Sequence, residues 1–370
     1  MEDNQKSRSV GLHSNSESHI QQLRDILDRY SSQDIIREIV QNADDAGASE
    51  LAFFVLEEGI SSAHPDTHPL LKNSALLIFN NAPLKKEDTE GITLIIKGTK
   101  QEDSTKIGRF GLGLKSLFHV CEGFFFGPYR SPDKTIEAQL FDPWCDIRCN
   151  YADKLPQWTA RQVNNALNNI LTHLENFLGA SYKDSFFMYI PFRDNDISKL
   201  MLKKLNITAS GFINDARIYA SLQQLPLSLA QCSFLKNVSF FIANSLSELA
   251  EHESLYEFSI QRNNCLRRPQ KEKKGFAEPF VCSVSVSKQG VQDSVWECLG
   301  INRFAPNHDG LQKLHADIRW PVVNLAGDPE KSLPNAAITI LHNKDSDDKR
   351  LSLRWASFLP LDDRKTEDNS

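Results

Sequence analysis

The segment Gln33 to Ala46 constrains what this chain can fold into more than any other. At about 100° per residue, a helix through it places Glu38, Gln41, Asn42 and Asp45 on one face and Ile36, Ile39, Val40 and Ala43 opposite. One face is built to pack, and the other gathers carboxylate and amide groups. Gly47 follows, a residue suited to the left-handed turn that stops a helix. Taken alone, such a polar face reads as a solvated surface. A second segment downstream changes that reading.

This second segment is Lys106-Ile-Gly-Arg-Phe-Gly-Leu-Gly-Leu-Lys-Ser116, whose glycines at 108, 111 and 113 come just before a predicted helix. Glycines allow close backbone approach to an anion, and successive amides with a helix N-terminus supply positive potential for phosphates. A dinucleotide-binding turn would follow directly on a strand within a βαβ unit, whereas a polar stretch, Lys97 to Lys106, precedes this one. That stretch has the composition of a mobile flap.

The composition narrows the remaining choices. A chain of 370 residues with 40% hydrophobic residues can bury the cores of two ordinary domains. Its 42 basic and 48 acidic residues give a net charge of -6, so nothing in the balance draws it to nucleic acid or an anionic membrane. No apolar run approaches the roughly 20 residues of a membrane helix, and Met1 to Ser18 is polar rather than signal-like. A soluble, cytoplasmic protein is expected. The seven cysteines are scattered, with no Cys-x-x-Cys pair, and read as buried or idle thiols. His64 and His68 sit beside Pro65 and Pro69, which disfavour a helical ligand pair.

Apolar spacing predicts helices over His19–Tyr30, Gln33–Ala46, Asp88–Ile96 and Ala160–Phe177. Strands are expected at Leu51–Leu56, Ala75–Phe79, near Phe124, at Ile136–Phe141 and at Phe186–Phe192. Beyond about Arg193 the texture changes, with candidate strands at Val238–Ile242, Tyr256–Ile260, Val281–Val286, Ala337–Leu341 and Leu351–Trp355. The charged runs Arg267–Lys274 and Asn343–Arg350 read as hairpin loops. The polar tail after Leu361 suits a chain that continues in a longer gene product.

The helix and the glycine turn together resemble the N-box and second glycine box of GHKL ATPases, the superfamily of gyrase, the ninety-kilodalton heat-shock chaperone, histidine kinases and MutL. The N-box pattern Glu-x-x-x-Asn-Ala-x-Asp-Ala is met by Glu38, Asn42, Ala43, Asp45 and Ala46. Asn80 and Asn81 stand where the first box usually has Asp-x-Gly-x-Gly, and an asparagine oxygen can still accept the adenine amino hydrogen bond. With Gly98-Thr-Lys100 and Gly108 to Gly113, this combination is similar to the sacsin-like group, which also substitutes asparagines in the first box.

The resemblance implies a two-layer α/β sandwich over residues 17–195, with helices on one face of a mixed, mainly antiparallel sheet. An arm at 1–16, a smaller α+β domain at 196–362 and a polar tail at 363–370 complete the chain. It implies magnesium-dependent binding of ATP between helices and sheet. In that picture Glu38 activates the attacking water and Asn42 holds magnesium. Asp45, Asn80, Asn81 and Ser185 shape the nucleotide site, and Lys100, Lys106, Gly108, Arg109, Phe110, Gly111, Leu112 and Gly113 attend the phosphates.

Flap closure in related ATPases is coupled to domain movement and often to self-association, so a slow, chaperone-like switch with a protein partner or client is the expected activity. Some bacterial relatives look like parts of phage-defence systems. Three alternatives stay open: a pseudo-ATPase that binds nucleotide as an interaction module, a DNA-acting machine, and a histidine kinase. The last two lack, respectively, a basic surface and a phosphoacceptor histidine on a dimerisation helix.

Overall fold

The computed structural model describes residues 23–24, 27–28, 32, 34–59, 69–85, 113–130, 135–136, 139–141, 182, 184–194, 206–230, 232–245, 248, 254–262, 277–304, 335–343 and 352–357. Helix α1 (Asp34–Ala46) ends as its sequence dictates. Gly47 takes φ of +87°, its N–H donates to the Asp44 carbonyl at 2.9 Å, and the Ala48 N–H reaches the Ala43 carbonyl at 3.0 Å. These two bonds satisfy carbonyls that the last turn would otherwise leave orphaned. The chain then enters strand β1 (Glu50–Leu56).

Further strands are β2 (Ala75–Asn80), β3 (Phe124–Arg130), β4 (Thr135–Ile136), β5 (Gln139–Phe141) and β6 (Asp184–Pro191). Helices α2 (Ala209–Ile213) and α3 (Ala216–Ala230) come next, then β7 (Asn237–Ala243), β8 (Tyr256–Arg262), β9 (Ala277–Lys288), β10 (Val291–Phe304), β11 (Asn335–Asn343) and β12 (Ser352–Ser357). Two 3-10 helices, Pro69–Lys72 and Gly113–His119, complete the described elements. Leu23 and Leu27, the core-facing members of the helix expected over 19–30, are helical and buried. The helices expected at 88–96 and 160–177 and the flap at 97–106 lie outside the described residues.

The twelve described strands form one mixed sheet in the order β12-β11-β10-β9-β8-β7-β1-β2-β6-β3-β4, with β5 also on β3. Every neighbour is antiparallel except β1 and β7, which run parallel from Glu50↔Asn237 to Leu56↔Ala243. The sheet therefore crosses the boundary expected at 195, and residues 237–243 complete the hydrogen bonding of β1. The two strands share stacked rings, Phe53 on Phe240 at 4.4 Å and Phe54 on Phe241 at 5.1 Å. Such pairs add about 0.5–1.5 kcal/mol each beyond the area they bury.

Strand alternation sorts the two faces. Leu51, Phe53 and Val55 share a face with Leu76, Ile78, Asn80, Phe186, Met188 and Ile190. Helices lie over this face. The Phe118 ring packs on Phe124 at 5.9 Å, α1 packs on the 113–119 helix and on α3, and the Cys282 thiol of β9 lies 3.9 Å from the Ala230 carbonyl of α3. On the opposite face, Tyr189 donates its hydroxyl to the Leu71 carbonyl in the Pro69–Lys72 turn at 3.2 Å.

Helices α2 and α3 and strand β10 were not expected from the sequence. Pro226 sits buried inside α3, where it removes one backbone donor and breaks the pattern by which a helix is read. The β9–β10 hairpin turns at Gln289 and Gly290, both at positive φ, and glutamine is not the residue that signals such a turn. The strands flanking the charged runs 267–274 and 343–350 do pair antiparallel, as hairpin loops require.

Cys121, Cys232 and Cys282 are buried free thiols. Burial pushes the Cys121 thiol far above its ordinary range, and its Sγ–H donates to the Leu117 carbonyl at 3.3 Å. Because only the thiolate is nucleophilic, the native protein at pH 8 leaves Cys121 unmodified by iodoacetamide while the denatured chain reacts fully. Peptide mass spectrometry measures both, and rapid labelling of the native thiol would contradict this burial.

Candidate functional site

On α1, Ile35, Ile36, Ile39, Val40 and Ala43 are buried, whereas Glu38, Gln41, Asn42 and Asp45 are half-buried. Glu38 precedes Asn42 by one turn, so the two share a stripe of the helix. The Asn42 side chain offers a neutral, hard oxygen of the kind that suits one position in a magnesium shell otherwise filled by phosphate oxygens and water. Helix α1, which carries this stripe, packs directly against the helix that begins at Gly113. Of the glycine-turn residues only Gly113 is described. Lys100, Lys106, Gly108, Arg109, Phe110, Gly111 and Leu112 lie outside the described residues.

Asn80, the last residue of β2, and Asn81 just after it differ in their commitments. Asn81 accepts from the Ser49 N–H at 2.8 Å and the Glu50 N–H at 3.0 Å, and its Nδ2 donates to the Ser49 hydroxyl at 2.9 Å. It ties the end of β2 to the turn between α1 and β1. Asn80 is buried on the helix-covered face, and its Oδ1 accepts the Ala82 N–H at 3.0 Å. An amide oxygen carries two lone pairs, so this local turn leaves Asn80 chemically able to accept a second bond.

The β2–β6 register pairs Asn80 with Phe186, not with Ser185. By alternation Ser185 therefore belongs to the face opposite Asn80, alongside Phe79 and Phe187, where its hydroxyl is buried and has no hydrogen-bond partner among the described residues. The half-buried ring of Phe186 occupies the helix-side position beside Asn80. The structure thus packs the helix that carries Glu38 and Asn42 against the helix that opens at Gly113, places Asn80 on the face beneath the helices, and puts Ser185 on the other face.

Two residues escaped the sequence reading. Asp44 is fully buried, and its carboxylate accepts the N–H groups of Ser233, Phe234 and Leu235, at 2.6 to 3.0 Å. Three successive amides make a concave nest for an anion and offset the placement of a carboxylate near the negative end of a helix. The available signal is angular, because Asp44 falls about 80° from Ile36, closer to the apolar face than to the polar one. Arg193 is also wholly buried and bonds to Glu122 and to three carbonyls around the end of the 113–119 helix.

Residues 16–248 match the family model described as Sacsin domain, which is more than half of the chain. The chain is also 38% identical over 257 residues to Sacsin from Homo sapiens, a match covering 62% of this chain and 5% of that protein. It spans only a small fraction of that relative's length. With α1, the asparagine-ended β2 and the helix that opens at Gly113 inside the matched region, the chain belongs to the Sacsin-domain family.

Proposed function

We propose that this chain binds ATP with magnesium on the helix-covered face of the sheet and hydrolyses it slowly, as a chaperone-like switch acting on a protein partner or a second copy. The observation that carries the reading is the packing of α1, with Glu38 and Asn42 one turn apart, against the helix that opens at Gly113. Magnesium would supply charge neutralisation for the phosphates. Asn42 would hold that ion through its amide oxygen. Glu38 orients the attacking water and takes its proton. Asn80 reads the adenine edge, and the amides from Gly108 to Gly113, with Lys106 and Arg109, meet the phosphates. Lys100 is assigned to the same phosphates.

Asn81 holds the α1–β1 turn in place, so its contribution is to position α1 rather than to touch the base. Ser185 has no nucleotide contact in this reading.

Calorimetry of the full chain with ATP, with and without magnesium, tests the reading. Wild type takes up ATP in a magnesium-dependent manner, and Asn42→Ala weakens that uptake by about 10- to 100-fold, the scale of losing a metal-site partner. Absence of any magnesium-dependent heat from the folded wild type rejects the proposal. A second reading, nucleotide binding without turnover, draws support from the altered adenine end, where Asn80 is turned toward Ala82 and Phe186 stands in place of a hydroxyl. Uptake of ATP without phosphate release selects it.

A further inference from the structure

Arg193 is wholly buried, and every part of its guanidinium is engaged. Its Nε–H donates to Glu122 at 2.5 Å, Nη1 to the His119 carbonyl at 3.1 Å, and Nη2 to the carbonyls of Phe118 at 2.6 Å and Cys121 at 2.9 Å. The main chain is equally committed, for its N–H reaches the Val120 carbonyl at 2.7 Å and its carbonyl receives the Ile207 N–H at 2.9 Å. Next to it, the Phe192 ring packs on Phe212 of α2 at 5.1 Å, and its carbonyl takes the Asn73 side-chain amide at 3.0 Å.

Removing two charges from water is costly, so a buried Arg–Glu pair is a poor device for stability alone. Its chemistry fits a different task. The last carbonyls of a helix lack internal partners and carry partial negative charge, and a planar fork of donors can hold several of them in one arrangement. Here the helix so held begins at Gly113, the end of the glycine turn, while the same residue's carbonyl anchors the segment leading into α2 and α3.

We propose that Arg193 is a positioning residue that couples the glycine-turn helix to the C-terminal half of the chain, so that a change at the turn is passed to the segment 206–213. The nucleotide part of this inference rests on the ATP reading, whereas the mechanical coupling does not. The two can fail separately.

Amide hydrogen exchange on the full chain without nucleotide tests the coupling. Arg193→Lys keeps the charge opposite Glu122 but loses the fork. Exchange should rise about 10-fold at both 117–121 and 207–213, while β1, β2 and β7 stay within about twofold of wild type. A rise at 117–121 alone overturns the proposal.

If the lysine variant exchanges faster everywhere, Glu122→Gln decides, because it removes the charge and keeps an acceptor. A smaller rise confined to the same two segments supports the coupling, and no rise or a general one overturns it. With magnesium and ATP, wild type should gain protection at both segments and Arg193→Lys only at the first. Wild type that takes up no nucleotide removes the ATP reading and leaves the nucleotide-free exchange result to judge Arg193.

Discussion

Glu38→Gln is expected to bind magnesium-ATP within about threefold of wild type and to release phosphate about 10²–10⁴-fold more slowly, the usual range for losing a general base. The argument begins with the helix. Glu38 lies one turn before Asn42 on a half-buried stripe, and the other side of α1 is held by Ile35, Ile36, Ile39, Val40 and Ala43 in the core. Glutamine keeps the volume and the hydrogen-bonding reach of the side chain, so packing and affinity persist. What it cannot do is accept a proton from water at neutral pH. Phosphate release under single-turnover conditions, read beside calorimetric affinity, separates the two effects. A glutamine variant that turns over at the wild-type rate removes Glu38 from the catalytic role.

The second large effect concerns stability. Asp44→Ala should lower the unfolding free energy by about 2–4 kcal/mol, because the amides of Ser233, Phe234 and Leu235 lose their common acceptor and a buried orphan amide costs about 1–3 kcal/mol. The sum is held down because Ser233 and Phe234 lie nearer the surface and can recover water, whereas Leu235 is fully buried. Asp44→Asn retains one acceptor oxygen and should lose only about 1 kcal/mol. Urea midpoints at constant m-value measure both variants. Equal loss in the two would mean that the carboxylate's acceptor geometry is not what holds the 233–235 loop.

These two carboxylates, six residues apart on one helix, mark where local reading succeeds and where it stops. Glu38, Asn42 and Asp45 were legible because helical periodicity separates a polar stripe from an apolar one within four turns. Asp44 was not. Its partners lie on a distant loop, and nothing near it in sequence announces three amides waiting to be capped. Asn80 and Asn81 show the same limit, since the resemblance assigns both to the base, whereas Asn81 laces the end of β2 to the start of β1. The resemblance assigns Ser185 to the nucleotide site by position, whereas the β2–β6 register puts it on the face opposite Asn80, because a one-residue difference in register moves a side chain through the sheet.

The amino-acid sequence by itself determined α1 with its two faces, its stop at Gly47, and the apolar strands β1, β2 and β6, because periodicity and glycine's access to positive φ act over a few residues. Only the tertiary structure decided that β7 runs parallel to β1 across the expected domain boundary, that Asp44 closes a loop, and that Arg193 binds the glycine-turn helix to the segment entering α2. Each of those depends on groups far apart in the chain finding complementary hydrogen-bonding partners, and such long-range pairing leaves no periodic trace in either segment alone.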